Sequence, residues 1–300
     1  MNIKGFSLVE LMISMALGIF ILSITMATLA SVNKQFNYQS TLGVINDTAR
    51  FSFTLLEQDL KEVSYWQSLV EMSQLSGSAF ISTVTNSCHA DSQDWARAIQ
   101  QSVFATNDAP SDYLCVAEDD YLRGDILTLR GIKHELATAF DPNQLYLKTN
   151  IAQSRLYFGR DRSDTTNQLS NASQHQTFSH SFYIGNSQIQ CNEQPVPALY
   201  WQTSHRGFPI KEELLTGVEH MQITLGLDNN DDNIVDQIVS PNNVANWRNV
   251  MHVTVDLLVR SKCPDSQHID NNIYRLGDIN YQVSDNYHRR QFRQSFFISQ

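Results

Sequence analysis

The chain has 300 residues, 31 Asp and Glu against 21 Lys and Arg for a formal net charge of -10, and four cysteines. That acidity argues against a broad electrostatic nucleic-acid surface, because phosphate binding needs a basic face. The length is enough to bury a sizeable core, which excludes a small peptide held together mainly by disulfides.

Residues Met1 to Gly5 form a short polar leader, and the apolar run Phe6 to Leu29 that follows has Glu10 as its only ionisable side chain. About 24 residues at ~1.5 Å rise give roughly 36 Å of helix, enough to cross a ~30 Å hydrocarbon layer. A secretory signal places its small-residue cleavage site after the apolar core, whereas here Gly5 precedes it. Cutting after Gly5 would release Met-Asn-Ile-Lys-Gly and leave the helix on the mature chain. Glu10 would then lie four residues from the new amine of Phe6, on the same helix face. A carboxylate in lipid costs about 2 to 4 kcal/mol without a partner, so that amine, from the same chain or a neighbour, is its expected counter-ion. Lys4 on the leader side predicts a cytoplasmic amino end and an extracytoplasmic body.

Apolar residues then recur at Leu42, Ile45, Ala49, Phe53, Leu56, Leu60 and Val63, which predicts one amphipathic stripe on a helix running from Phe6 to about Ser68. It carries no proline, and Gly18 is its intrinsic weak point. Residues 70 to 120, rich in Ser, Asn, Asp and Gln, read as a long connection. Strands are predicted at Asp125 to Arg130, Gln144 to Lys148, Arg155 to Gly159, Ser181 to Ile184 and Ala198 to Gln202, with a polar loop over 160 to 180. Met221, Ile223, Leu225 and Leu227 share one face of a strand, and Val253, Val255, Leu257 and Val259 one face of another, opposed to His252, Thr254, Asp256 and Arg260. Phe292 to Ile298 makes a last strand. The fold class is α+β: a leader (1–5), a transmembrane helix (6–29), its amphipathic continuation (30–68) and a β-rich antiparallel head (69–300).

Cys88, Cys115, Cys191 and Cys263 form no CxxC pair, so disulfides are expected in an oxidising compartment. Three pairings are open, and proximity favours Cys88 with Cys115 and Cys191 with Cys263. Asp228, Asn230, Asp232 and Asp236 follow D-x-N-x-D-x-x-x-D spacing, with the Ile234 carbonyl at the backbone-ligand position, as in the first part of a calcium loop. Asn233 replaces the usual glycine and Val239 the usual bidentate Glu, so the alternative is a solvated acidic hairpin. Arg289, Arg290 and Arg293 read as a solvated strand edge. No hydrolase, metalloprotease, P-loop or dinucleotide motif is present, so no catalysis is expected and no cofactor is required.

Gly5-Phe6-Ser7-Leu8-Val9-Glu10 resembles the class III signal of type IV pilins and type II secretion pseudopilins. The resemblance implies prepilin peptidase cleavage between Gly5 and Phe6, N-methylation of Phe6, and helix-mediated filament assembly in which Glu10 registers an incoming subunit. Arg50-Phe51 leading into Leu56-Glu57-Gln58-Asp59-Leu60, Gly124-Asp125-Ile126-Leu127-Thr128-Leu129-Arg130, Gly217-Val218-Glu219-His220-Met221 with its acidic loop, and Trp247-Arg248-Asn249-Val250 resemble the minor pilin group called PilW. The chain departs from that group at Tyr65-Trp66-Gln67-Ser68, where glycines are common, and at Asn233. The implied role is a minor pilin that primes assembly near a pilus tip, with other minor pilins, the major pilin, prepilin peptidase and the inner-membrane platform as partners, and a tip adhesin as a further one. The implied location is the inner membrane, then the pilus. Alternatives are a minor pseudopilin of a type II secretion system and a tip adhesin module.

Overall fold

Helix α1 (Leu8–Leu69) is the first element of the computed structural model, which describes residues 8–69, 74–81, 94–109, 116–205 and 208–298. The chain divides into two units after Val44. From Leu8 to Ser40 every α1 side chain is exposed. From Ile45 onward the expected stripe is buried: Ile45, Ala49, Phe53, Leu56, Leu60 and Val63, then Trp66. Each large member removed from water stabilises the head by roughly 1.5 to 3 kcal/mol. Trp66, where the resembling group favours glycine, is fully buried and donates its indole N–H to the Ile99 carbonyl, anchoring the end of α1 in the core.

After α1 come β1 (Leu75–Ser76), the short α2 (Asp94–Arg97), β2 (Val103–Thr106), β3 (Arg123–Leu136), β4 (Leu145–Thr149), β5 (Ser154–Phe158), β6 (Ser173–Cys191), β7 (Gln194–His205) and β8 (Phe208–Thr216). These strands form an eight-stranded sheet. Then β9 (Val218–Leu227), β10 (Gln237–Val239), β11 (Val250–Arg260) and β14 (Arg289–Phe297) form a four-stranded antiparallel sheet in the order β10-β9-β11-β14. β12 (Ile273–Leu276) and β13 (Ile279–Gln282) make a hairpin of their own. Apart from the short parallel pairing of β1 with β5, all strand pairs among the described residues are antiparallel, which gives the expected α+β class.

β6 organises the first sheet. One edge pairs with β3, whereas the other pairs first with β4, up to Tyr146 opposite Gln176, and then with β7, from Thr203 opposite His180. Between those contacts β4 and β7 part, and a crevice opens beside α1. Gly131 on β3 lets α1 approach closely, since a Cβ there would meet the Phe178 ring at 2.9 Å and the Glu62 carbonyl oxygen at 3.3 Å.

The structure corrects the expected loop over 160 to 180, because β6 already begins at Ser173. Its early inward positions are polar, and each is satisfied: His175 bonds the Lys133 carbonyl, while Thr177 and Ser179 donate to the Leu145 and Ala96 carbonyls. Small polar residues that find internal acceptors can form a buried strand without an apolar alternation. The connection over 70 to 120 is likewise not structureless, since α2 buries Trp95 and β2 extends the first sheet. β8 was legible only as polar sequence because it is an edge strand carrying Pro209, Lys211, Glu212 and Glu213.

In the second sheet both predicted apolar faces are buried, with Leu225, Ile223 and Met221 opposite Val253, Val255 and Leu257. Around Asp256 and Gln222 the opposite face is not the solvated surface its polarity suggests. The β12–β13 hairpin covers it, bringing the Gly277 N–H to 3.2 Å from Asp256 Oδ2, and both Asp256 and Gln222 are inaccessible.

Candidate functional site

Gly5 and Phe6 lie outside the described residues. Glu10 stands in the first turns of α1, among exposed Leu8, Val9, Leu11 and Met12. The hydroxyls of Ser14, Ser23, Thr25 and Thr28 all donate to α1 carbonyls three or four residues back. With those polar groups satisfied inside the helix, the stretch Leu8 to Leu29 offers an apolar surface of membrane-spanning length, which fits a single-pass anchor.

The head is joined across its two sheets by Cys191, at the end of β6, and Cys263, just beyond β11, with their Cα atoms 5.5 Å apart. Cys88 and Cys115 lie outside the described residues.

The acidic loop is organised around Asp228. Its carboxylate accepts from the backbone N–H groups of Asn230, Asp232 and Asn233, while Asn230 and Asp232 accept from Asp232 and Ile234 N–H, and Asp236 from Asn229 N–H. Burial raises the Asp228 carboxyl, yet the donors from Asn233, Asn230, Asp232 and Asp231 outweigh it and hold it below the usual carboxylate range. Asn233 takes φ +64°, the left-handed geometry expected of the glycine it replaces. The side-chain oxygens of the loop therefore cap its own backbone N–H groups. Among the described residues no three of His, Cys, Asp and Glu come together as a metal-holding group.

Arg290 and Arg293 are exposed on β14, the outer strand of the second sheet, as expected, whereas Arg289 is not solvated. The Arg289 side chain is 1 % exposed and its guanidinium bonds Glu219, Asp270 and Asp285, at 2.5 Å (Nε to Glu219 Oε2), 3.2 Å and 2.6 Å. Burial opposes its charge, but the bonds to Asp285 and Glu219 more than offset that and raise it above the ordinary guanidinium range. Glu219 reaches this position through a bulge: Val218 and His220 pair with consecutive β11 residues, Val259 and Leu258, so Glu219 is the extra residue. Arg293 grips Asp256 bidentately, at 2.8 and 2.9 Å, and Arg290 donates to the Asn46 side chain of α1. Sequence reasoning missed this network, although a charge at Glu219, on the parity of Met221 and Ile223, was the available signal.

Between the two sheets, Asp125 on β3 is inaccessible and accepts from the Ile223 N–H of β9 at 2.6 Å and the Asp108 N–H at 3.0 Å. Gly124 permits this seam: it has φ +82°, and a Cβ would lie 2.5 Å from the Met221 carbonyl oxygen. Burial, with the charges of Asp108 and Asp278, pushes the Asp125 carboxyl up to about 8 despite those two N–H donors. An acid whose folded-state pKa is raised holds its proton more tightly folded than unfolded, so its contribution to stability declines as pH rises from about 4 to about 8. The expected result is that Asp125→Asn flattens the fall in Tm across that window, as followed by circular dichroism melts. An unchanged slope would assign the dependence to other groups.

Among the described residues, a helix of membrane-spanning length that fits a single-pass anchor and an antiparallel head define the class, an α+β protein. Residues 181–298, from mid-β6 to the end of β14, match the family model for Type IV Pilus-assembly protein W (PilW). That match supports a type IV pilus-related protein, and such a family implies interaction with other pilus-assembly components. No curated protein and no solved structure matches it.

Proposed function

We propose that the chain is a minor pilin that prepilin peptidase cleaves between Gly5 and Phe6, that is N-methylated at Phe6, and that takes part in priming and assembly of a type IV pilus near its tip. The observation that carries this reading is one chain holding both the Gly5-Phe6 junction ahead of an exposed apolar helix and a head segment matching the pilus-assembly family. Before assembly the helix retains the subunit in the inner membrane, with its amino end cytoplasmic and its head periplasmic. Glu10 then pairs with a subunit amine as the helix leaves the lipid, so neither charge stays uncompensated. The head supplies lateral contacts to other minor pilins and the major pilin. The match to a pilus-assembly family favours this role over a type II secretion pseudopilin, and no step calls for catalysis or a resident cofactor.

Mass spectrometry of chain recovered from envelopes tests the reading. The expected amino-terminal peptide begins with methylated Phe6. Recovery of a chain that still carries Met1 to Gly5 in assembled filaments would overturn it.

A further inference from the structure

We propose that the crevice between α1 and the diverging strands β4 and β7 docks an arginine-bearing segment of another pilus-assembly component. The inference rests on the pilus reading and adds to it the place of contact and the chemistry of the partner.

The crevice follows from the topology. After Gln176 the β4-side edge of β6 has lost its neighbour, and β7 does not take over until His180. Gln144 partly closes one end by donating to the Thr177 carbonyl. What remains is a groove of about 490 Å³, with α1 as one wall. That volume suits one long side chain with its flanking backbone rather than a whole domain.

Its lining selects a cation. Asp59 and Glu62 come from α1, Glu135 from β3 and Glu212 from β8, whereas Lys133 is the one Lys or Arg of the lining among the described residues. Among the described residues of the lining, four carboxylates to one ammonium is a steeper imbalance than the 31 to 21 of the whole chain. Glu135 and Glu212 are exposed, so they can meet an incoming charge.

An aromatic surface narrows the choice to a planar cation. Trp201 is half-buried; its indole N–H donates to Glu212 Oε2 at 2.9 Å, and its ring lies 4.1 Å from the His180 ring at an interplanar angle of 30°. His180 is itself held by Asp59, Nδ1 to Oδ2 2.6 Å. The indole is thus held by His180 against its ring and by Glu212 at its N–H edge. A guanidinium can lie flat on such a ring while its N–H fork bonds a carboxylate, which an ammonium cannot do. Exposed carboxylates around a fixed aromatic platform gain most from a partner that brings the opposite charge.

The test places a photo-reactive amino acid at Thr203, on the groove lining, in the full-length chain within cells that assemble filaments. The expected result is an adduct to one pilus component, mapping within about three residues of an arginine, with its yield lowered about fivefold or more by Glu135→Gln combined with Glu212→Gln. Melts of that variant should match the parent; if they do not, Glu135→Gln alone, at an exposed site, is the variant scored. No adduct, an adduct on a segment without arginine, or an undiminished yield overturns the proposal. A small organic cation occupying the groove would give the first of these outcomes. Deleting the chain is scored separately: filaments lost on deletion but no Thr203 adduct overturns the groove alone, whereas filaments unaffected by deletion overturn the pilus reading as well.

Discussion

Glu10→Val should remove surface filaments, by at least about tenfold, while the chain remains in the membrane at its usual level or above it. The physical reason is an asymmetry between storage and assembly. In lipid the carboxylate is a burden of about 2 to 4 kcal/mol, so valine improves insertion. In the assembled state the same carboxylate would offset a buried amine, and its loss leaves that amine without a partner, at a penalty of a few kcal/mol repeated wherever this subunit contacts its neighbour. Electron microscopy of shed filaments, paired with immunoblots of membrane fractions, separates the two effects. Undiminished filaments would remove the registration role from Glu10.

Arg289→Met is expected to destabilise the head by about 3 to 5 kcal/mol, the usual consequence of stripping one partner from a buried ion cluster. Glu219 and Asp270 are 4 % and 2 % exposed and would lose their closest cation, with Arg123 still 3.9 Å from Glu219 Oε1. For a head of this size such a loss lowers Tm by roughly 10 °C, measurable by calorimetry on the full chain in detergent. Bonding to Arg289 holds the Asp285 carboxyl below its usual range, and Asp270 is held down against burial by Tyr274, Asn272 and Arg289. That part of the stability is therefore complete above about pH 4 and is lost as pH falls further, opposite in sign to the Asp125 contribution. A change in Tm of only a degree or two would mean that water reaches the acids and compensates them.

Periodicity carried most of the architecture. The α1 stripe and the alternations in β9 and β11 are long, apolar and of a single period, so helix and strand faces could be assigned residue by residue. Where burial is achieved with polar side chains, that signal vanishes. His175, Thr177 and Ser179 form an inward face only because carbonyls from three other segments wait for them. Asp256 and Gln222 alternate like solvent-facing residues, and the hairpin that covers them lies far along the chain. Arg289 was misjudged for the same reason: the acids that neutralise it are contributed by β9 and by the segments flanking the hairpin, a convergence that linear spacing does not encode. At the amino end Glu10 was conspicuous because one charge interrupts an otherwise apolar run. The crevice, by contrast, had no linear signature, since it arises from two strands separating along a third.

The bond between Cys191 and Cys263 closes a ring of chain around β7, β8, β9, β10 and β11, and the acidic loop lies inside that ring. A protease that cuts between Asp228 and Asp236 would therefore sever a backbone link without releasing a fragment. The two pieces would stay tethered through sulfur as well as through the β9 and β11 ladder, and would separate only under reducing, denaturing conditions. Such a molecule can be nicked and still hold together.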